Sequence, residues 1–186
     1  CPAVNTIQSA QSACAVVDST SSVQAAPGAT VNGLEAEVIW LASDQLTLGG
    51  NFSFTKAEFD GSFFVVDGAD PSVPGSIYDS ASEINRRRDI DGRRLPQVPE
   101  SKFSLYGNYE LPLAENGRIN FLANYSYIDE VYFGSFEQDL DKAPDYDRID
   151  LRATCTSPSE SWVLSGFVNN VTDDIGIRFI ERHGAS

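Results

Sequence analysis

Apolar and polar residues alternate along most of the chain. In the segment 101–112, every second position is apolar or glycine: Phe103, Leu105, Gly107, Tyr109 and Leu111. A period of two residues predicts a β-strand with one apolar side and one water-facing side. The same pattern predicts six strands in all, at 29–43, 46–59, 101–112, 117–133, 146–157 and 161–171. For the last of these, the pattern does not decide which face is apolar.

Two Asn-Gly pairs indicate local irregularities. Asn116 and Gly117 separate two strand patterns, and this pair is typical of a type I′ turn, in which both central residues need a positive φ. We therefore predict a tight antiparallel hairpin at this point. Asn32 and Gly33 lie inside the first strand with no second arm directly after them, so we predict a β-bulge there.

The predicted strands are long, and their connections alternate in length. Ordinary strands have about 5–6 residues, whereas a strand that crosses a bilayer needs about 9–11. Connections after residues 43, 112 and 157 are short and those after 59, 133 and 172 are long, which is typical of outer-membrane β-barrels. We predict an all-β fold, an antiparallel up-and-down transmembrane β-barrel. Because the smallest barrels have about 8 strands, six strands are expected to form only part of one.

Composition narrows the classes of function. The 186 residues carry a net charge of −14, which argues against nucleic-acid binding because phosphate recognition needs clustered Lys and Arg. The sequence contains no apolar run of about 18 residues, so no transmembrane helix is predicted. The lack of Met and of a signal-peptide pattern indicates a mature product or a fragment. With one His and no catalytic, phosphate-binding or metal-ligand motif, we expect no enzyme, no cofactor and no metal site.

Several segments, in their order and spacing, resemble the C-terminal barrel strands of TonB-dependent outer-membrane receptors over about residues 30–175. These segments are GLEAE at 33–37, LTLGG at 46–50, GRRLP at 92–96 followed by Pro99 and Glu100, YSY at 125–127 with Tyr132, YDRIDLR at 146–152, and Trp162 leading to NNVTD at 169–173. The resemblance implies a barrel of about 22 strands in the outer membrane of a Gram-negative bacterium, plugged by an N-terminal domain. Typical cargoes are ferric siderophores, vitamin B12 and some oligosaccharides, with uptake driven through TonB.

The resemblance also implies an organisation and a set of partners. Residues 1–28 are expected to be an extracellular loop segment, 29–175 barrel strands with long loops at 60–98 and 134–145, and 176–186 the truncated start of a further loop. No plug, TonB box or closing strand is visible, so TonB would act through a missing N-terminal plug. The other expected partners are outer-membrane lipid, lipopolysaccharide and a small-molecule cargo such as a ferric siderophore.

Five arginines stand out in this acidic chain: Arg86, Arg87, Arg88, Arg93 and Arg94. They could bind an anionic ligand such as a ferric siderophore, because guanidinium groups suit oxyanions. The alternative is that they pair with Glu83, Asp89 and Asp91 or with lipopolysaccharide phosphates. Several aromatic side chains could stack on sugars, although interfacial aromatic girdles are the preferred interpretation. They are Tyr106, Tyr109, Tyr125, Tyr127, Tyr132 and Phe133.

Two of the three cysteines lie near the start of the sequence, and the third lies in a predicted strand. Cys1 and Cys14 could close a loop disulfide, which would imply an oxidising compartment. Cys155 lies in a strand pattern and is interpreted as a small buried or lipid-facing residue.

Two other functions remain open on the sequence. One is a complete small outer-membrane barrel with a porin-like or adhesive role. The other is a soluble secreted β-sandwich that binds carbohydrate. The preferred interpretation is a barrel fragment of a TonB-dependent receptor that takes up a scarce nutrient.

Overall fold

The computed structural model describes residues 28–67 and 87–180. The chain divides into two compact units, residues 1–26 with 63–89 and residues 27–62 with 90–186. The predictions for Cys1, Cys14, Glu83 and Arg86, and for nearly all of the segment 1–28, lie outside the described residues. Within the described ranges, no helix is long and apolar enough to cross a membrane.

Strands form almost all of the regular structure in the described part of the chain. In chain order they are β1 (Ala29–Leu41), β2 (Leu46–Phe59), β3 (Phe64–Val66), β4 (Arg87–Asp89), β5 (Ser101–Pro112), β6 (Arg118–Ile128), β7 (Val131–Tyr132), β8 (Lys142–Ala143), β9 (Tyr146–Thr156) and β10 (Val163–Val168). Six of them make one antiparallel sheet in the order β1-β2-β5-β6-β9-β10. Each long strand therefore pairs with the next long strand along the chain, as an up-and-down topology requires, and the predicted fold class is confirmed.

The pairing register keeps one face of this sheet apolar from edge to edge. One row crosses all six strands and consists of Trp40, Leu48, Gly107, Ala123, Leu151 and Val168. The neighbouring row points to the other face and consists of Leu41, Thr47, Asn108, Leu122, Arg152 and Phe167. The register also settles the facing of β10, because Val168 pairs with Leu151 and so lies on the apolar face.

The apolar face has the height of a membrane band. On β2 it runs over the nine residues from Leu46 to Phe54, which span roughly 27 Å along the strand. A strand tilt of about 40° reduces this to about 20 Å along the barrel axis, close to the band of about 25 Å in transmembrane barrels. Its side chains are exposed, Trp40 by 61% and Leu164 by 69%. An apolar surface of this extent is stable only against a non-aqueous neighbour.

Buried apolar side chains are few. Among the described residues, only Ala57, Ile90 and Ala143 are buried hydrophobics. The sheet is therefore ordered by its backbone ladders rather than by a packed core, which distinguishes it from a soluble sandwich built on two interdigitated inner faces.

The two Asn-Gly predictions have different outcomes, since the hairpin is confirmed without its type I′ turn and the bulge is wrong. The β5–β6 hairpin exists, but its loop is a 3-10 turn at Ala114–Asn116, and only Gly117 in that loop has a positive φ, of 94°. At Asn32 and Gly33 the β1–β2 ladder continues one residue for one, without a bulge. Gly33 is needed instead because an added Cβ would lie 2.7 Å from the carbonyl oxygen of Phe54.

The long connections contain short pieces of sheet that the sequence pattern did not predict. β3 and β4 form a small antiparallel pair inside the connection between β2 and β5. β7 and β8 form another between β6 and β9, so the strand predicted over 117–133 stops at Ile128 and resumes at Val131.

Candidate functional site

The long connections between β2 and β5 and between β6 and β9 leave the same end of the main sheet. We define the segments 90–100 and 129–145 at this end as the long-loop rim. Segment 90–100 is fixed along the end of β2 by backbone hydrogen bonds. Phe59 N donates to the Arg93 carbonyl at 2.9 Å, and Leu95 N donates to the Ala57 carbonyl at 2.9 Å. The two arginines at 93 and 94 are thereby held in place by the backbone.

Arg94 is the centre of an ion-pair cluster in the rim. Its guanidinium lies 3.0 Å from the Glu100 carboxylate and 4.0 Å from that of Glu130, and 5.8 Å from the centre of the Tyr132 ring. Its backbone N–H donates to Oε1 of Glu137 at 2.8 Å. Because Glu100 and Glu137 belong to different rim segments, Arg94 connects the two.

Glu130 and Lys142 extend this cluster. Lys142 Nζ lies 2.6 Å from Glu130 Oε2. The hydrogen bond from Lys142, with a smaller contribution from Arg94, lowers the pKa of Glu130 below its ordinary value. The same hydrogen bond raises the pKa of Lys142. Both groups are therefore held in their charged forms at neutral pH, and they connect the start of β7 to β8.

Arg93 makes a different set of contacts. Its Nη1 donates to the Phe136 carbonyl at 3.0 Å, and the guanidinium lies 5.9 Å from the centre of the Phe136 ring. Arg93 and Arg94 thus both contribute to holding segment 129–145. Their predicted role in binding an anionic ligand stays a prediction.

Arg87 and Arg88 lie in the small β3–β4 pair. Arg88 is opposite Val65 and Arg87 is opposite Val66. Asp89 at the end of β4 accepts a hydrogen bond from Phe63 N at 2.8 Å. In the larger unit, Asp91 accepts a hydrogen bond from Gly61 N at 2.9 Å.

The polar face of the sheet carries a second group of charges near the same end. Arg148 Nε donates to Asp150 Oδ1 at 2.8 Å, and the same oxygen accepts a hydrogen bond from Asn170 N at 2.9 Å. Asp150 therefore fastens the turn after β10 to β9. Further from the rim, the Arg152 guanidinium lies 5.8 Å from the ring centre of Phe167.

The aromatic residues divide between several environments. Tyr125 and Tyr127 lie on the apolar face next to Phe103, with ring centres at 5.7 and 5.1 Å, as the girdle interpretation requires. Tyr106 lies on the polar face, where its ring covers Gly49. The girdle prediction is therefore wrong for Tyr106. Tyr132 and Phe133 belong to the long-loop rim, where the girdle interpretation stays a prediction.

Cys155 is a half-buried free thiol, paired in register with Ile119 and Leu164 on the apolar face. In the described ranges, no group of three or more His, Cys, Asp or Glu side chains is arranged to hold a metal ion.

Sequence reasoning found the arginines of the rim but not their partners. Glu130, Glu137 and Lys142 are far from Arg94 along the chain, and no local pattern distinguishes them from other charged loop residues. Only the docking of segment 90–100 on β2 brings the two segments together.

This sheet, with one apolar face of membrane height and a rim of long loops, defines a wall segment of a transmembrane β-barrel. Residues 4–171 match the family model of the TonB dependent receptor-like β-barrel. The chain belongs to that family, whose members are receptors and transporters rather than enzymes. No curated protein matches the sequence.

Two solved structures share the fold. The ferric yersiniabactin uptake receptor FyuA from Yersinia pestis is 18% identical with a TM-score of 0.56, and the alignment covers 78% of this chain and 18% of FyuA. The siderophore receptor PiuA from Acinetobacter baumannii is 17% identical with a TM-score of 0.55, again over 78% of this chain and 18% of PiuA. The chain thus spans about a fifth of the length of these receptors. Barrels of this family are outer-membrane proteins of Gram-negative bacteria.

Proposed function

We propose that this chain is part of the barrel wall of a TonB-dependent outer-membrane receptor that takes up a scarce nutrient such as a ferric siderophore. The observation that carries the proposal is the family match over residues 4–171, together with the six-stranded register that keeps one face apolar. One structural neighbour is named as a ferric yersiniabactin uptake receptor and the other as a siderophore receptor, which favours iron over other cargoes.

In this proposal residues 29–175 form wall strands, and residues 1–28 and 176–186 belong to loops on the outer side. The apolar face contacts outer-membrane lipid, and charged groups at its outer margin meet lipopolysaccharide. The polar face lines the lumen, where a plug domain outside this chain would couple to TonB. The long-loop rim forms part of the outer vestibule, and Arg86, Arg87, Arg88, Arg93 and Arg94 remain candidates for contact with an anionic cargo.

The proposal assigns the wall a passive role. Hydrogen-bonded strands hold the rim in place, and energy-dependent steps take place elsewhere in the receptor. The family match makes the soluble sandwich the weakest alternative. The small complete barrel is disfavoured because β1 and β10 are not paired with each other in the described residues.

The test is an uptake experiment in the host. Deleting the gene that carries this chain should abolish uptake of one ⁵⁵Fe-labelled siderophore from a panel, and disrupting TonB should have the same effect. The protein should fractionate with the outer membrane. Unchanged uptake of every siderophore in the deletion strain would overturn the iron assignment. Recovery of the protein in the soluble fraction would overturn the receptor assignment itself.

A further inference from the structure

An open groove interrupts the apolar face of the main sheet. Its volume is about 450 Å³, within the usual range of about 300–1,000 Å³ for small-molecule sites. Gly50 on β2 forms its floor, and in the register it lies between Val38 on β1 and Leu105 on β5. A methyl carbon of Leu105 lies 2.6 Å from the place where a Cβ on Gly50 would lie. The depth of the groove therefore depends on glycine at residue 50.

The lining of the groove is apolar. Its side chains come from alanine, valine, leucine, phenylalanine and tryptophan, and none of the lining residues is charged. Asn51 also borders the groove, but the alternation of the strand puts its side chain on the polar face, opposite Glu37. A charged group would find no charged partner here, so the groove suits a hydrocarbon.

The groove is closed toward the long loops and open toward the short turns. Phe52 and Phe103 line its long-loop end and are opposite each other in the β2–β5 register. At the other end, Leu48 points toward β5, because one of its methyl carbons lies 3.3 Å from the place where a Cβ on Gly107 would lie. This leaves the groove open beside Trp40, which is opposite Leu48 and is exposed.

The length and width of the groove fit one hydrocarbon chain. It extends from Trp40 to Ala36 on β1, which is about 14 Å along the strand and about 10 Å along the barrel axis. One leaflet of a bilayer contributes about 15 Å of hydrocarbon. A transmembrane helix, about 10 Å wide, would need about 1,000 Å³ over the same length, which is more than twice the volume of the groove. The groove therefore suits a single acyl chain rather than a helix of a partner protein.

Packing gives a chain its preference for the groove over the rest of the apolar face. A lipid chain is already in an apolar medium, so transfer from water contributes no free energy and van der Waals contact decides. On the flat part of the face a chain contacts the protein on one side only. In the groove it also contacts Val38 and Trp40 on one flank and Leu105 on the other, and these small attractions add up.

We infer that this groove holds one acyl chain of a phospholipid, which enters beside Trp40 and ends at Phe52 and Phe103. In outer-membrane barrels the short turns lie on the periplasmic side, so the phospholipid belongs to the periplasmic leaflet. Acyl chains of lipopolysaccharide would enter from the opposite, closed end. The inference rests on the proposed function, because that function places the apolar face in the bilayer.

Photo-crosslinking in lipid vesicles tests the inference. The full-length protein that carries this chain is folded into phosphatidylcholine vesicles. A small fraction of the lipid carries a diazirine on one acyl chain, either near the glycerol or near the chain end, and labelled residues are identified by mass spectrometry. We expect the near-glycerol probe to label Trp40 about fivefold more than Phe103, and the chain-end probe to show the reverse. Leu164 and Val168, at the two ends of the apolar positions on β10, lie outside the groove and should be labelled equally by each probe.

Two valine variants on opposite edge strands provide a matched pair. Val38→Phe fills the groove over Gly50, and Val168→Phe is the control, since the two valines are exposed by 62% and 58%. Val38→Phe should remove the difference in labelling between the two ends of the groove, and Val168→Phe should leave it unchanged. Heat-dependent mobility in SDS gels shows whether each variant folds. Ala36→Leu, which also fills the groove, replaces Val38→Phe if that variant does not fold.

Equal labelling of Trp40 and Phe103 in the wild type, or a difference that persists in Val38→Phe, would overturn the inference. The reverse difference in the wild type would indicate a chain from the other leaflet and would overturn the choice of a periplasmic phospholipid. An unlabelled groove beside labelled Leu164 and Val168 would mean that a protein covers it, and would overturn this inference alone. No labelling at any of the four residues would also overturn the membrane placement on which the proposed function rests.

Discussion

Replacing Leu105 by arginine tests the membrane orientation of the sheet. On β5 the apolar positions run from Phe103 to Leu111 with Gly107 at their centre. Leu105 lies two residues from that centre, which is about 7 Å along the strand and about 5 Å along the barrel axis. Arginine on a lipid-facing position costs about 2–4 kcal/mol at the midplane and about 0–1 kcal/mol near the interfaces.

At this depth we expect Leu105→Arg to destabilise the folded barrel by about 2–3 kcal/mol, or about 30- to 150-fold in the folding equilibrium. Asn108→Arg is the control, because Asn108 lies on the opposite face of the same strand between Thr47 and Leu122. It should cost less than about 1 kcal/mol.

The measurement is a urea titration of the full-length protein folded into lipid vesicles. The folded fraction is read from its heat-dependent mobility in SDS gels. Equal costs for the two variants, or a larger cost for Asn108→Arg, would refute the assignment of the apolar face to lipid.

Two further predictions concern the turn and the rim. Gly117→Ala should lower stability by about 2–4 kcal/mol, because φ is 94° and ψ is −142° and an added Cβ would collide with the Thr156 carbonyl. Gly166→Ala, with open space around it, should change stability by less than about 0.5 kcal/mol in the same urea titration. Because the pKa of Glu130 is lowered on folding, its contribution is present above the ordinary glutamate pKa of 4.5 and is lost as the pH falls through the folded value. Wild type should therefore lose more stability on acidification than Glu130→Gln, and parallel pH profiles of the urea midpoint would contradict the ion-pair assignment.

The sequence predicts the long strands well because the alternation of apolar and polar residues and the polar connections indicate the same strand bounds. The bounds of β2 and β5 match the predicted bounds at both ends, since polar connections directly flank the two segments. β10 is shorter than predicted, and its facing follows only from pairing with β9. Alternation within one strand cannot reveal which partner residue lies opposite it.

The turn and the rim were less predictable for a physical reason. The Asn-Gly pair correctly marks a hairpin, but the Thr156 carbonyl on the neighbouring strand β9 restricts residue 117 to glycine. The partners of Arg94 depend on contacts between distant segments. Such contacts exist only once the sheet has set the distance between its strands.

The order of strands in the sheet has a consequence for how such receptors diversify. Leu41 and Leu46 are joined by four residues, whereas 41 residues separate Phe59 from Ser101. A connection about ten times longer raises the loop-closure cost by only about 2 kcal/mol, and the backbone bonds of segment 90–100 offset part of that. Insertions in the long connections therefore leave the pairing of the wall strands unchanged. The loop surface that faces a cargo can therefore change during evolution while the hydrogen-bonded strands keep their register.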